Sequence, residues 1–509
     1  GRLGGIDAGM WLLSIVVAIY VASGGLRAVA YVDTMQAILL ALGIIILGLI
    51  AMFYVPDMSA GLAALSAVDP ATGEAVFGPT TPEGYSGYVA IPGVIQMVSS
   101  GPSAQGGAWT GIMVLTYMFA LMGIQSAPAF SMWAFSNKNP APFAPQQVWA
   151  SSFGIGLILF VFTAFQGIGS HFLGADTAFT AAHPDLVNDV MAAGLGGQDL
   201  LQSEGRQGML VPQLIWLMGD TAPWLVGLLS VCALAAMQST GAAYMSTAGS
   251  MLTRDILRRY LMPNASDAAQ KFWGRVGVLI IVGAALVVAT TATDALVLLG
   301  GLAVAYGFQM WPALIAVCWW PFLTGPGIVL GLIGGLVAVT MTESIGAQIW
   351  PLLEMEPLWG RWPLTIHSAG WGIMVNLGIA IVISTITQTR SGRQHRMKFH
   401  NFLRDHAGLP NDKKGLVPLA WIVTLAWFFF AIGPGAVIGN TLFGDPNAPE
   451  TWLFGIPSIW TWQLLFWVLG VFMMWFLAYR MEMSTVPKRE VEVLVEDITE
   501  DVQESLVRS

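Results

Sequence analysis

The stretch ALAAMQSTGAAYMSTAGSMLTRDILRRY, from Ala233 to Tyr260, begins inside a segment apolar and long enough to cross a bilayer. On a helix, Ala236, Ser239 and Thr240 share one face, because they lie three and four residues apart. The stretch ends in three arginines, which are typical of a helix end at a membrane surface. A narrow polar stripe is therefore predicted within an otherwise apolar membrane-spanning helix.

The composition of the whole chain agrees with a membrane location. Of its 509 residues 55% are hydrophobic and only 10% are charged, whereas soluble domains average about 25% charged residues. We therefore predict an all-α, polytopic transmembrane helical bundle with the lipid bilayer as its surroundings. Nucleic acid is excluded as a partner because the net charge of −9 comes without a basic stripe. Cys232 and Cys318 both lie in apolar segments, which argues against a disulfide framework or a metal cluster.

Eleven segments have the length and apolar character of membrane-spanning helices. They are 10–25, 32–55, 109–135, 147–172, 223–250, 275–293, 295–320, 326–345, 366–388, 416–439 and 458–481. The chain begins Gly1-Arg2-Leu3 and enters the first segment within ten residues. We therefore expect an N-terminal portion of the protein to be missing from this sequence.

Lysines and arginines are distributed unevenly between the connecting loops. The segments 254–275 and 389–415 are rich in both, whereas 56–106 and 440–457 contain neither. The positive-inside rule places the two basic segments, and with them the C-terminus after Arg480, in the cytoplasm. The protein is thus expected to be integral to a membrane, which we take to be a bacterial inner membrane.

The polar stripe at Ala236, Ser239 and Thr240 allows two interpretations. Small residues let neighbouring helices approach closely, and a hydroxyl group can bond its own helix backbone. Alternatively, the hydroxyl oxygens and backbone carbonyls replace the water around a hard cation such as Na⁺. No carboxylate or histidine lies near the middle of a predicted span, so coupling to Na⁺ is favoured over coupling to protons.

A second polar position lies within YMFALMGIQSAPAFSMWAF, residues 117–135. Gly123 and Pro128 bracket Gln125 and Ser126, and both are poor in helix interiors. We expect the backbone to leave helical geometry there, with Gln125 or Ser126 facing segment 223–250 or 32–55 across a solute cavity. A proline kink without any ligand is the alternative.

Further along the chain, AVAYGFQMWPAL carries two polar side chains within the segment 295–320. Tyr306 and Gln309 are able to face the same cavity as substrate-binding residues. Packing against Trp311 accounts for them equally well.

Two of these stretches resemble a known family. SGGLRAVAYVDTMQ, from Ser23 to Gln36, resembles the signature of sodium:solute symporters, and the stretch from Ala235 to Ile256 resembles their sodium-site helix. The resemblance implies that Ala236, Ser239 and Thr240 bind sodium, with Ala236 contributing its carbonyl oxygen. It also implies that Asp33 lies on the cytoplasmic side and takes part in sodium release.

The family implies a fold of the leucine-transporter type, in which ten core helices form two inverted five-helix repeats. By that resemblance 1–55 holds the last two helices of an incomplete first repeat, 56–108 is an external loop and 109–320 is the second repeat. Residues 321–481 would add further transmembrane helices, and 482–509 would form a cytoplasmic tail.

The resemblance further implies a secondary active transporter that couples inward Na⁺ movement to uptake of a small organic acid or amino acid. The match is most similar to the monocarboxylate and proline branches. Na⁺ is the coupling ion, and no other metal and no cofactor is expected. A transporter-like membrane sensor without net transport is the alternative, whereas an enzyme is not expected because catalytic motifs are missing from the sequence. The oligomeric state is left open.

The charge distribution makes a topological prediction. A reporter fused within 390–415 or after Arg480 should behave as cytoplasmic, because these ends carry the positive charge. A reporter within 60–100 should behave as external in the same assay. A reversed signal at either basic position would contradict the topology.

Overall fold

The computed structural model describes residues 6–55, 57–93, 108–135, 141–187, 210–291, 296–352, 354 and 358–482. Within these ranges the chain is helical, and extended pairing is limited to two isolated bridges, Val68 with Ala75 and Thr80 with Ser86. The predicted all-α class is confirmed. Part of the predicted external loop, 94–107, and nearly all of the predicted tail, 483–509, lie outside the described residues.

The helices are numbered here in chain order. They are α1 Ile6–Tyr54, α2 Met58–Leu65, α3 Gly111–Leu121, α4 Gly123–Ser126, α5 Pro128–Phe135, α6 Phe143–Leu173, α7 Thr177–Ala182, α8 Leu210–Trp216, α9 Pro223–Leu261, α10 Asp267–Thr291, α11 Leu296–Phe308, α12 Trp311–Cys318, α13 Gly325–Met341, α14 Ser344–Leu352, α15 Ser368–Ile386, α16 Arg390–Ala407, α17 Val417–Ala431 and α18 Ser458–Arg480. The last ten residues of α9, Leu252–Leu261, have π-helical hydrogen bonding.

Eight helices among the described residues are long and apolar enough to cross a membrane. The pair α13 and α14, bent by 85° at their junction, makes a ninth when counted as one span. Two shorter apolar helices, Ala8–Gly24 and Gly111–Ser126, fall within further predicted segments. The protein is therefore a polytopic helical bundle, as its composition predicts.

The first two predicted helices, 10–25 and 32–55, correspond to the apolar stretches Ala8–Gly24 and Val29–Tyr54, which are the two arms of α1. An unbent helix would separate Tyr20 from Gln36 by about 24 Å along its axis, at 1.5 Å per residue. Yet the Tyr20 hydroxyl donates to the Gln238 carbonyl, and the Gln36 amide donates to the Gln238 side chain. The helix must bend between these residues, so that its two arms both pack against α9.

The bend brings the N-terminal arm of α1 between α9 and α10. Val17, Val21 and Val29 are buried there against Ala242 of α9 and Val278 of α10. Outside this apolar contact, Arg275 Nε of α10 donates to the Ala22 carbonyl, at 3.0 Å. The predicted pair of helices is thus one bent element that shares a core with the hydroxyl-bearing helix.

Closely packed small residues join α13 to α15. Gly327, Gly331 and Gly335 follow each other at intervals of four on α13 and so form one face. A Cβ atom at Gly331 would lie 2.6 Å from the carbonyl oxygen of Asn376 on α15. The two backbones therefore touch directly, as small residues allow in membrane helices. The sequence analysis overlooked this repeat of glycines.

The contact predicts which glycine on α15 tolerates a side chain. Gly372→Ala should destabilise the protein by roughly 1–3 kcal/mol, because its Cβ would lie 2.5 Å from Gln309 Nε2 and 2.6 Å from Val339 Cγ2. Gly378→Ala on the same helix is the matched control, because nothing lies within 4 Å of its Cβ. Thermal unfolding of the purified protein measures both. Equal unfolding temperatures for the two variants would contradict the packing described.

Candidate functional site

The predicted sodium ligands lie on an unbroken part of α9. Ser239 Oγ donates to the Ala236 carbonyl oxygen at 3.2 Å, so two of the proposed ligand oxygens are neighbours. Both residues are half-buried, whereas Thr240 is exposed. Within the part of the chain that the structure describes, the Thr240 hydroxyl has no hydrogen-bond partner. The site residues remain predictions, since a hydroxyl bonded to its own helix also fits simple helix packing.

The C-terminal part of the same stretch, from Ser246 to Thr253, differs in its hydrogen bonds. Ser246 donates to the Ala243 carbonyl, Ser250 to the Ser246 carbonyl and Thr253 to the Gly249 carbonyl. These hydroxyl groups are therefore satisfied by the backbone of α9 itself. Gly249 allows this part of α9 to approach α10, because a Cβ there would lie 3.0 Å from the Gly274 carbonyl oxygen. Packing explains these residues without a ligand.

Asp33 lies close to the proposed sodium site. It is half-buried on α1, one turn before Gln36, and Gln36 bonds Gln238, the neighbour of Ser239. Its carboxylate has no ion pair among the described residues. Asp33 is thus connected to the hydroxyl stripe through Gln36 and Gln238, and its role in sodium release remains a prediction.

The helix predicted at 109–135 is broken where expected. It consists of α3, α4 and α5, which we call the broken helix. Ala127 is extended, with ψ at 136°, between Ser126 and Pro128. Proline at this point has no N–H group and excludes a helical conformation at the residue before it. The prediction of a break within Gly123–Pro128 is confirmed.

A second break faces the first. The segment predicted at 295–320 contains the span Gly300–Cys318, in which a turn at Gln309 and Met310 separates α11 from α12. Trp311 Nε1 donates to the Met122 carbonyl at 3.2 Å, and Ser126 Oγ donates to the Gly307 carbonyl at 2.9 Å. Each interruption therefore donates a side-chain hydrogen bond to a backbone carbonyl of the other helix, and these two bonds tie the helices together.

Glycine makes this contact of two backbones possible. Gly123 is buried against α11, where an added Cβ would meet Phe308 N at 2.5 Å. A Cβ at Gly307 would meet the Gly123 carbonyl oxygen at 2.9 Å. Gly123 thus allows the broken helix to pack closely against α11. Its contribution to a solute site is to permit the break.

Ser126 does not face the helices that the sequence analysis proposed. It is buried and its hydroxyl bonds the carbonyls of Gly123 and Gly307, so it faces α11 rather than α9 or α1. Gln125, by contrast, is exposed beside the break. Phe130 of α5 contacts the ring of Tyr244 on α9, with the ring centroids 6.0 Å apart, and Tyr244 lies one turn from Thr240. The part of the broken helix that follows the break thus packs against the hydroxyl-bearing helix α9.

Tyr306 and Gln309, which were predicted to face the solute cavity, contact the helices α13 and α15. The Tyr306 hydroxyl lies 2.7 Å from Thr340 Oγ1 of α13. Gln309 is 1% exposed, and Asn376 of α15 donates to its backbone carbonyl at 2.9 Å. The half-buried Tyr306 therefore links α11 to α13, and Gln309, just after α11, is enclosed against α15.

A buried ionic cluster escaped the sequence analysis. Glu343 is 2% exposed, and its carboxylate accepts hydrogen bonds from Arg361 Nε at 2.9 Å, Trp362 Nε1 at 2.9 Å and Ser368 Oγ at 2.8 Å. His367 Nε2 lies 3.9 Å from the same carboxylate, and its Nδ1 accepts from the Ala369 N–H. We call these five residues the Glu343 network. Its members are up to 25 residues apart, so no local pattern reveals it.

The Glu343 network is connected to the broken helix. The backbone N–H of His367 donates to Thr116 Oγ1 of α3 at 2.9 Å, and the Tyr117 ring packs edge-on against His367. Thr110, the residue that caps α3, lies 2.9 Å from Thr365 through their hydroxyl oxygens. The first part of the broken helix is therefore held by the chain between α14 and α15.

A helical membrane bundle in which broken helices border a hydroxyl-lined helix is the architecture of proteins that hold ions and solutes at discontinuous helices. The chain belongs to the sodium:solute symporter family, whose model matches residues 5–335, more than half of its length. The resemblance seen in the sequence is thereby confirmed.

Individual relatives match over shorter stretches. The sodium/proline symporter of Haemophilus influenzae is 29% identical over 124 residues, and that of Escherichia coli is 28% identical over 125. Each match covers 24% of this chain and 25% of the relative. A solved Na⁺-coupled sialic acid symporter in a substrate-bound, outward-open state gives a TM-score of 0.48 at 14% identity, covering 76% of this chain and 68% of that structure.

The Glu343 network predicts a large effect of one substitution. Glu343→Gln should destabilise the protein by roughly 3 kcal/mol, because a neutral amide cannot replace the buried carboxylate that accepts hydrogen bonds from Arg361, Trp362 and Ser368. Adding Arg361→Met should recover part of the loss, since it removes the charge that the carboxylate balances. Thermal unfolding is the measurement.

Glu450→Gln serves as the control for the network, because Glu450 is exposed. Its unfolding temperature should stay close to that of the wild type. A wild-type unfolding temperature for Glu343→Gln would show that the network does not stabilise the fold.

Proposed function

We propose that the protein is a secondary active transporter that couples inward Na⁺ movement to the uptake of a small organic acid or amino acid. Its membership of the sodium:solute symporter family supports this function. The observation that carries it furthest is the pairing of Ser239 Oγ with the Ala236 carbonyl, beside a Thr240 hydroxyl that is exposed. Three neutral oxygens within two turns of one helix suit Na⁺, which prefers oxygen ligands.

The ion site requires more than these three oxygens. A hard cation takes about six oxygen ligands, so other backbone carbonyls must complete the shell. The Ser239 hydroxyl, which bonds the Ala236 carbonyl, must turn its lone pairs to the ion when the ion binds. Asp33, on the adjacent arm of α1, supplies a negative charge along the route by which the ion leaves.

The solute site is proposed at the break of the broken helix. The end of α4 and the beginning of α5 meet there, so that opposite ends of two helix dipoles border the same groove. Such a site suits a carboxylate or a zwitterion, and the proline carried by the symporters of the relatives belongs to this class. Gln125 is the exposed polar side chain that we assign to solute contact, while Gly123, Ser126 and Pro128 maintain the break.

The proposed orientation places the C-terminus in the cytoplasm of a bacterial cell. Lys413 Nζ, in the basic segment before α17, lies 3.8 Å from Glu482 Oε1, just after α18. The end of the last span and the basic segment are therefore neighbours at one end of the bundle. This agrees with the assignment of both to the side that the positive-inside rule selects.

Uptake by proteoliposomes or cells containing the full-length protein tests the function. Radiolabelled proline, other amino acids and short monocarboxylates are offered in Na⁺ medium and in K⁺ medium of equal ionic strength. At least one solute should accumulate in the Na⁺ medium and not in the K⁺ medium, because the inward Na⁺ gradient supplies the driving force. Uptake that is equal in both media would contradict sodium coupling.

The sodium site predicts a change of apparent affinity. Ser239→Ala and Thr240→Ala should each raise the Na⁺ concentration for half-maximal uptake by about five- to hundredfold, if each oxygen contributes roughly 1–3 kcal/mol. Ser250→Ala is the matched control on the same helix, since its hydroxyl is bonded to the Ser246 carbonyl. Wild-type Na⁺ dependence in both site variants would contradict the sodium site and would show that the stripe serves helix packing.

A further inference from the structure

A basic helix lies at the membrane boundary between two spans. The helix α16, Arg390–Ala407, begins four residues after the end of α15 and precedes α17. Arg390, Arg393, Arg396, Lys398 and Arg404 lie along it. The proposed symport function makes no use of this helix.

The helix is fixed against the end of the bundle. Arg396 Nε donates to the Pro321 carbonyl at 2.8 Å, and His400 Nε2 lies 2.9 Å from the Ala316 carbonyl oxygen. Gln388, just before the helix, donates to the Phe322 carbonyl at 2.7 Å. Because α12 ends at Cys318, these carbonyls mark the end of a span. The anchored face of α16 therefore lies at the level where apolar helix ends meet water.

The arginines next to that face are not used in anchoring. Arg390, Arg393 and Met397 lie at i, i+3 and i+7 and so form a stripe, which borders the anchored stripe of Arg396 and His400. Arg390 and Arg393 are exposed. Neither guanidinium group has an acidic or hydrogen-bonding partner among the residues that the structure describes. Two unpaired cations are thus held at the membrane boundary.

A cavity of about 380 Å³ opens between them. Gln388, Thr389, Arg390, Arg393, Gln394 and Met397 line it, so the lining contains two positive charges and no negative one. Guanidinium groups bind phosphate through paired N–H donors, which an ammonium group cannot match. The methionine adds apolar surface beside these donors, as the glycerol and upper chain region of a lipid requires.

We propose that this cavity binds the headgroup phosphate of an anionic phospholipid, with Arg390 and Arg393 as its ligands. A fixed helix at the level of the headgroups, cations without partners and an apolar flank together suit a membrane lipid better than a dissolved anion. The site is independent of Na⁺ coupling, so failure of either proposal leaves the other intact.

Lipid binding to the purified, detergent-solubilised full-length protein tests the site. Dioctanoyl phosphatidylglycerol is the probe, dioctanoyl phosphatidylcholine and inorganic phosphate are the comparisons, and native mass spectrometry reports the bound adducts. Arg390→Gln with Arg393→Gln should weaken phosphatidylglycerol binding by about 30-fold, at roughly fivefold for each basic residue. The anchors at Arg396 and His400 remain, so the unfolding temperature should be unchanged, and Arg393→Gln alone should lose about fivefold.

The control variant removes the same charge elsewhere. Lys398→Gln with Lys414→Gln should bind phosphatidylglycerol within about twofold of the wild type, because both lysines are outside the cavity lining. An equal loss in this control would show diffuse attraction and overturn the site, as would undiminished binding by the arginine variants. Inorganic phosphate that binds as tightly as phosphatidylglycerol would overturn the assignment to a lipid.

Discussion

The structure depends on one constraint: a backbone group freed from a helix inside a membrane must find a partner within the protein. Two neighbouring helices are interrupted here, and each donates a side-chain hydrogen bond to a carbonyl of the other. The indole of Trp311 donates to the Met122 carbonyl, and the hydroxyl of Ser126 donates to the Gly307 carbonyl. The Gly307 carbonyl also accepts from the Met310 N–H, so the interrupted backbone keeps partners within the protein.

The same constraint explains why some polar side chains stabilise the structure while others are free to bind a ligand. Ser126 donates to a backbone carbonyl of α11, Tyr306 pairs with a hydroxyl of α13, and Gln309 accepts from the Asn376 amide of α15, so all three stabilise the scaffold. Gln125 and Thr240 are exposed, which suits residues that exchange water for a ligand. Burial with a satisfied partner thus separates structural polar residues from candidate binding residues.

The additional helices α13, α15 and α16 contact both of the interrupted helices. The α13 and α15 pair packs through glycines, encloses Gln309 and, through the Glu343 network, contacts α3. A displacement of the outer part of the broken helix would therefore require rearrangement of these contacts. At the other end of the bundle, the anchors of α16 bind the carbonyl of Ala316 in the last turn of α12 and that of Pro321 just after it. Both ends of the discontinuous helices are tied to the additional helices.

Local composition by itself determined the helical class, the membrane location, the position of the first break and the hydroxyl stripe. Each of these depends on residues close together in sequence: apolar runs, Gly123 and Pro128, and adjacent Ser239 and Thr240. The tertiary structure decided which helix each polar side chain faces, because rotation about a helix axis depends on the packing of distant elements.

The same reason accounts for what the sequence did not reveal. The bend that returns the two arms of α1 to one residue of α9, the second break and the partners of Glu343 all arise from contacts between separate helices. Uniformly apolar helices have no polar face to indicate orientation, since lipid and protein interior are equally apolar. Features set by neighbouring residues could therefore be predicted from the sequence. The direction in which each polar side chain points was decided by the packing of the helices.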